Sequence, residues 1–180
     1  MHSIKICTCF ALVFAVFLVF FVSYVSASDV TLQNETNMRN IADEINQNSS
    51  LPATLLTPYE NIKNELHQSE PIGYIPNYGT FDFFFDNYTL IFEGFPTDED
   101  EFLLTEITLS GGTYHILGIH ILDEMEQAKN ILKEEGFHQI DANKPRQYMK
   151  ENVIIKLEGT NMVEVVTVHV PSAYTSGNLY

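Results

Sequence analysis

Histidines are the side chains of this sequence best suited to metal binding or acid–base catalysis. Five of them follow residue 27, namely His67, His115, His120, His138 and His169. Zinc-binding helices carry His-x-x-x-His or His-Glu-x-x-His, and neither spacing occurs. His115 and His120 lie on either side of Gly118, and we expect their side chains to point in different directions. The sequence therefore predicts no metal site.

Nucleophilic motifs are also missing from the body of the chain. Ser110-Gly111-Gly112 could form an oxyanion loop, but no Gly-x-Ser-x-Gly elbow occurs, and we interpret these residues as a linker. Cys7 and Cys9 are the two cysteines, so neither a catalytic thiol nor a disulfide framework is expected beyond the N-terminal segment. We predict that the protein is not an enzyme and needs no cofactor.

The charge balance restricts the class of partner. The chain carries 24 acidic and 9 basic residues, for a formal net charge of −15. Nucleic-acid binding needs clustered Lys and Arg, so it is not expected. Asp98-Glu99-Asp100-Glu101 lacks the alternating Asp/Asn spacing and the Gly of a calcium loop, and we interpret it as a solvated loop. It could alternatively contact a basic partner or hold a cation weakly.

The N-terminal segment predicts export. Residues 6–25 are uncharged and mostly apolar, and Val25-Ser26-Ala27 fits a signal-peptidase site. Residues 1–27 are a signal peptide or a retained anchor, and both interpretations stay open. Residues 28–53 read as a flexible spacer with a weak helical stripe, and 172–180 as a tail. The sequons at Asn34, Asn48 and Asn87 could be glycosylated in a eukaryotic host.

Two segments repeat the same helix signals at a separation of 66 residues. Thr57-Pro58-Tyr59-Glu60 has the form of a capping box, and Asp123-Glu124-Met125-Glu126 offers the equivalent start. Apolar residues follow at i, i+3 and i+7, namely Tyr59, Ile62 and Leu66, then Met125, Ala128 and Leu132. Gly136 predicts the end of the second helix. The repeat indicates an internal duplication.

Strand signals follow each helix in the same order. The first set is Phe81–Phe85, Tyr88–Phe92 and Leu103–Ser110, and the second is Arg146–Lys150, Val153–Leu157 and Val163–Val170. We predict an α+β protein of two tandem α-β-β-β repeats, residues 54–112 and 113–171. Their sheets are expected to join edge to edge, with both helices on one face.

The second repeat resembles a known structural unit. Gly118-Ile119, Asp123-Glu124-Met125, Leu132 and Gly136-Phe137, followed by strands, are similar to the repeat of the β-lactamase-inhibitor-protein-like fold. The outer-membrane lipoprotein BamE (SmpA/OmlA) shares that unit, and helix-plus-meander domains of small secreted Gram-positive proteins are similar to it. The likeness, over about residues 54–170, implies a tandem fold whose concave sheet grips a partner protein. Phe137 replaces a frequent Pro, and the inhibitor's disulfides and BamE's lipidated Cys are absent.

Strand alternation predicts which side chains face away from the helices. Val153, Ile155 and Leu157 are assigned to the core, which leaves Arg146, Tyr148, Lys150, Lys156 and Glu158 on the open face. Transfer to the first repeat places Tyr88, Leu90 and Phe92 in the core, and Phe81, Phe83, Phe85, Thr89 and Ile91 on the open face. An exposed aromatic row of this kind usually marks an interaction site.

The predicted partner-binding residues are therefore Phe81, Phe83, Phe85, Ile91 and Tyr148, with Tyr74 and Tyr78 of the neighbouring loop either at the rim or packed beneath. The alternative is that the register is reversed, or that residues 28–53 or the loop Pro71–Gly79 cover the row.

These features predict a secreted or cell-envelope protein that binds another protein without catalysis, as an inhibitor, an immunity-like factor or an envelope accessory protein. Its acidic surface would steer a basic partner. It would contact a membrane only through residues 1–27, and only where they are not cleaved. The alternatives are a membrane-anchored structural component, a ligand-binding protein, an unrecognised hydrolase, or a homodimer formed through the aromatic row.

Overall fold

A computed structural model describes residues 33–34, 36–77, 80–94 and 102–171. The N-terminal segment 1–27, Tyr78, the acidic run 98–101 and the tail 172–180 lie outside these residues, as does the side chain of Tyr74. The chain divides into two compact units, Met1–Asn37 and Met38–Tyr180. Of the first unit, residues 33, 34, 36 and 37 are described, and they are helical.

The second unit has three described helices and ten strands. The helices are α1 (38–48), α2 (Tyr59–Gln68) and α3 (Met125–Glu134). The strands are β1 (Gly73–Asn77), β2 (Thr80–Phe84), β3 (Tyr88–Glu93), β4 (Leu103–Leu109), β5 (His115–Ile116), β6 (Ile119–His120), β7 (His138–Asp141), β8 (Lys144–Lys150), β9 (Val153–Glu158) and β10 (Val165–His169).

Eight of these strands form one antiparallel sheet in the order β1-β2-β3-β4-β10-β9-β8-β7. The remaining two, β5 and β6, pair as a separate ribbon. Helices and an antiparallel sheet in one unit confirm the α+β class. Four strands follow α2 and four follow α3 in the main sheet, where three were expected each time, because residues 73–77 and 138–141 also pair.

Helices α2 and α3 begin close to the predicted positions, but without the predicted capping boxes. Pro58 and Glu124 precede the first helical residues, and neither helix has a side-chain cap. Backbone carbonyls from the sheet side replace the caps: Phe102 O accepts from Tyr59 N at 2.8 Å, and Asn161 O accepts from Met125 N at 2.9 Å. The N-terminal amides are thereby satisfied through tertiary contacts.

The end of α3 matches its prediction. Gly136 has a φ of +83°, a left-handed conformation that costs glycine little. Gly136 N donates to Lys133 O and Phe137 N donates to Leu132 O, so the last carbonyls are satisfied.

The predicted apolar stripes of α2 and α3 face the core. Met125, Ala128, Leu132 and Leu66 are buried, and Tyr59 and Ile62 pack against the core.

The expected flexible spacer is wrong for residues 38–53. Over 38–48 the chain is helical, and the weak stripe is the buried face of α1, formed by Met38, Ile41, Ala42 and Ile45. Backbone hydrogen bonds in both directions tie Ser50 to His115, and Ser49 Oγ accepts from Leu117 N at 2.8 Å. Lys150 Nζ donates to Glu44 Oε1 at 2.9 Å. This segment is therefore part of the core.

Candidate partner-binding surfaces

The predicted aromatic row lies on the helix side of the sheet, so its placement on the open face is wrong. Phe83 and Tyr148 are buried, with 0% and 1% of their surface exposed. Phe81 and Phe85 are half-buried and pack against the core. In this conformation Phe83 and Tyr148 present no surface to a partner.

The cause is the register of the hairpins. Directly opposite residues of paired antiparallel strands lie on the same face of the sheet, and the two-residue turn fixes which residues are opposite. Phe83 is opposite Leu90, and Tyr148 is opposite Ile155, and both partners were correctly assigned to the core. Glu151 and Asn152 both have positive φ, as a tight turn of this kind requires. The alternative of a reversed register is therefore the correct one.

The aromatic residues instead form a cluster beneath α2. Tyr59 on the helix lies 5.1 Å from Phe81 and 5.5 Å from Phe92, centroid to centroid. Phe81 lies 4.3 Å from Phe102. Tilted and edge-on ring pairs of this kind add to the stability gained by burial. The cluster therefore supports the fold and attaches α2 to the sheet.

Two other residues of the predicted site are placed only in part. Ile91 is on the open face as predicted, between Asp82 and Glu106, and is half-buried. The backbone of Tyr74 is in β1 opposite Phe83, which is a register position on the helix side. The structure thus does not bring these residues together with Phe83 and Tyr148 on one exposed surface.

Where β4 meets β10, the open face of the sheet carries two cross-strand pairs of polar side chains. Thr108 Oγ1 and Thr167 Oγ1 are 3.0 Å apart, and His169 Nδ1 is 3.4 Å from Glu106 Oε2. Burial lowers the pKa of His169, but its close contact with Glu106 and the charges of Glu93 and Glu106 outweigh burial and raise that pKa above its ordinary value. This arrangement joins the two halves of the sheet electrostatically.

His115 and His120 were expected to point apart, and that expectation is wrong. They are cross-strand partners in the β5–β6 ribbon, with ring centroids 4.8 Å apart. Burial, and then the neighbouring His120, lower the pKa of His115. His120 Nδ1 also lies 3.6 Å from Asp123 Oδ2. Over the described residues, no group of three or more His, Cys, Asp or Glu is placed to hold a metal ion.

A different apolar surface is exposed at the beginning of α3. Leu122 is 65% exposed and Met162 is 47% exposed. Their segments are joined by backbone hydrogen bonds from Leu122 N to Val163 O (2.8 Å) and from Val163 N to Asp123 O (2.9 Å). We call Leu122, Met162 and the adjoining depression of about 360 Å³ the Leu122 surface; the depression is lined by Glu124, Met125, Glu126, Thr160, Asn161 and Met162.

Leu122 has a structural counterpart, Leu56, before α2. Leu56 N donates to Leu104 O at 2.8 Å, as Leu122 N does to Val163 O. Both leucines are left-handed, with φ of +63° and +75°, a conformation that costs a non-glycine residue about 1–2 kcal/mol. Leu56 packs against the core, whereas Leu122 faces solvent. Leu122 thus combines backbone strain with an exposed apolar side chain.

Sequence reasoning missed this surface. Neither Leu122 nor Met162 was singled out from the sequence. Leu56 and Leu122 occupy equivalent backbone positions, but equivalent backbone positions do not guarantee equivalent burial. No local pattern around Leu122 distinguishes it from Leu56, because burial at these positions depends on chain segments far away in sequence.

No family model matches the chain, and no curated protein matches it. A solved structure from Bacillus anthracis str. Ames, an extracellular protein containing a SCP domain, is similar over 68% of this chain and 45% of that chain. The TM-score is 0.47 and the identity 12%, so the likeness carries no argument about fold or function. Among the described residues, no helix is both long and apolar enough to span a membrane.

Proposed function

We propose that this chain is an exported, non-catalytic protein-binding module, and that the Leu122 surface is its binding site. One observation carries the proposal: Leu122 is strained at φ +75° and 65% exposed, so it gains little from intramolecular packing. Asn or Gly would suit that backbone better. Burial of Leu122 by a partner would give an apolar side chain there a physical purpose.

The proposed architecture is a tandem duplication, in which each repeat has one helix and four strands of the main sheet. Three backbone hydrogen bonds around the beginning of α2 have counterparts around α3, and Thr108 pairs with Thr167 at the junction of β4 and β10. The strand order reads outward from that junction in the same way on each side. The resemblance to the inhibitor-like repeat supports the same arrangement, with four strands in each unit instead of three.

Within this architecture, the two repeats differ in which side chains they bury and which they expose. The first buries its lead-in leucine and adds the aromatic cluster beneath α2. The second leaves Leu122 and Met162 exposed. Duplicated units often keep one fold while a single copy carries the site, because function depends on local surface chemistry. Export, predicted from residues 1–27, places the proposed partner in the cell envelope or outside the cell.

A comparative capture experiment tests the proposal. The full chain, exported from its own host, is used as bait beside Leu122→Asn, a change that the backbone accepts because Asn tolerates positive φ. Ile72→Asn is the matched control, because Ile72 is 70% exposed at the opposite half of the sheet. We expect one partner to bind the wild type and the Ile72 variant and to be lost from the Leu122 variant. Equal retention by all three baits would refute the proposed site.

A further inference from the structure

We infer that the partner of the Leu122 surface presents a large apolar side chain flanked by Lys or Arg. This inference rests on the proposed function and adds the chemistry of the partner. It follows from two properties of the same small area, namely a depression that two methionines help to line and carboxylates beside it.

The apolar property comes from two methionines. Met125 and Met162 both line the depression, which has room, at about 360 Å³, for one large side chain. Methionine is unbranched and polarizable, so it adapts to aliphatic and aromatic side chains alike. Leu122, whose segment is joined to that of Met162 by the hydrogen bond from Leu122 N to Val163 O, adds a second exposed apolar side chain, with 65% of its surface exposed. A partner's apolar residue in the depression would contact the methionines, and a neighbouring part of the partner would cover Leu122.

The electrostatic property comes from the beginning of α3. Glu124 and Glu126 line the depression and Asp123 precedes them, whereas Lys129 and Lys133 are the cations that act on Glu126. Lys129 Nζ already contacts Glu126 Oε1 at 2.7 Å, and this hydrogen bond lowers the pKa of Glu126. Glu124 and Glu126 are exposed, so a cation on a partner can reach both carboxylates.

Other occupants fit this surface less well. A second copy of the chain would bring another formal charge of −15 to an acidic area. An anionic membrane surface would be repelled for the same reason. A basic protein segment satisfies both properties, since opposite charge accelerates association and the apolar side chain supplies burial.

Three synthetic peptides of equal length test the inference on the full chain. One carries Leu between pairs of Lys, the second Leu between pairs of Glu, and the third Gly between pairs of Lys. Fluorescence anisotropy gives the affinities, and ¹³C-methyl NMR signals of Leu122 and Met162 give the location. We expect the Lys–Leu peptide to bind at least about tenfold more tightly than either of the others, and to weaken as salt rises.

Charge variants supply the second part of the test. Glu124→Gln with Glu126→Gln should weaken the Lys–Leu peptide about fivefold or more. The matched control is Glu65→Gln with Glu134→Gln, which removes two exposed carboxylates from α2 and from the far end of α3. The control pair should change the affinity by less than about twofold.

The outcomes separate the two proposals. If capture in cells depends on Leu122 but the peptides bind without regard to charge, the basic-partner inference is wrong and the proposed function stands. Peptides that leave both methyl signals unchanged also refute the inference. If sedimentation shows a dimer that Leu122→Asn dissociates, the occupant is a second copy and the basic partner is excluded. If capture is insensitive to Leu122, the proposed function itself fails.

Discussion

Leu56 and Leu122 illustrate how the same residue in the same backbone setting acquires different roles. Each is left-handed and donates its amide to a neighbouring strand segment. The backbone conformation is therefore a demand of the fold, and it strains both positions. Only the surroundings of the side chain differ, since Leu56 contacts the core and Leu122 faces solvent. The pair allows strain and packing to be measured separately.

Glycine substitution at the two sites should have opposite effects. Leu122→Gly removes the left-handed strain and little packing, so the free energy of unfolding should rise by about 1 kcal/mol. Leu56→Gly removes the same strain but also contacts with the core, so stability should fall by about 1–3 kcal/mol. Urea denaturation of both variants measures this. A loss of stability at both sites would mean that Leu122 is packed within the chain.

Phe83 provides the residue-scale test of the corrected register. Its side chain is fully buried, so Phe83→Ala should lower the free energy of unfolding by about 3–5 kcal/mol. Ile75→Thr is the control, because Ile75 is 45% exposed on the edge strand β1, and its effect should stay within about 0.5 kcal/mol. A small effect at Phe83, similar to that at Ile75, would restore the exposed aromatic row.

At the scale of elements, periodic patterns were sufficient to locate most helices and strands. The stripes of α2 and α3, the Gly136 stop and the strands through residues 153–157 follow directly from spacing. The assignment of side chains to the two faces of the sheet was wrong in both hairpins, because it ignored that opposite residues across a two-residue turn share a face. Edge strand β1 was not predicted, because its Gly and Pro residues lower strand propensity. It is nevertheless a strand because it pairs with β2. The Leu122 surface depends on burial, which local pattern does not contain.

Helix α1 gives an element-scale prediction, since a flexible spacer and a core helix respond differently to truncation of a side chain. Ile45 is 1% exposed, so Ile45→Ala should destabilise the protein by about 2–5 kcal/mol. Gln47→Ala, at an exposed position of the same helix, should change stability by less than about 0.5 kcal/mol. Thermal or urea unfolding distinguishes the two. Equal effects of both variants would support a loosely attached segment.

In the unit Met38–Tyr180 as a whole, the pairing of β4 with β10 joins the two halves of the sheet. The register pairs Glu106 with His169 and Thr108 with Thr167, so the halves meet through polar groups on the open face and through Ile107 and Val168 on the core face. Because each half covers only part of the core, stability of the whole depends on this pairing. The ion pair makes that dependence sensitive to pH.

The pH dependence has a defined sign. The pKa of His169 is raised in the folded state, so its contribution to stability is fully present below about pH 6.5 and is lost as pH rises through the folded pKa. Between about pH 6 and 9, the wild type should therefore lose stability relative to His169→Gln. His138→Gln, at an exposed position on β7, should retain the wild-type slope. Identical slopes for wild type and His169→Gln would show that the pair contributes nothing.

The central claim, that the Leu122 surface binds a protein partner, is tested most directly by photocrosslinking in the producing cells. A photoreactive phenylalanine analogue replaces Leu122 in one strain and Ile72 in another, two positions of comparable exposure at 65% and 70%. We expect a discrete crosslinked product from position 122 that position 72 does not give. No product at 122, or the same product at both positions, would contradict it.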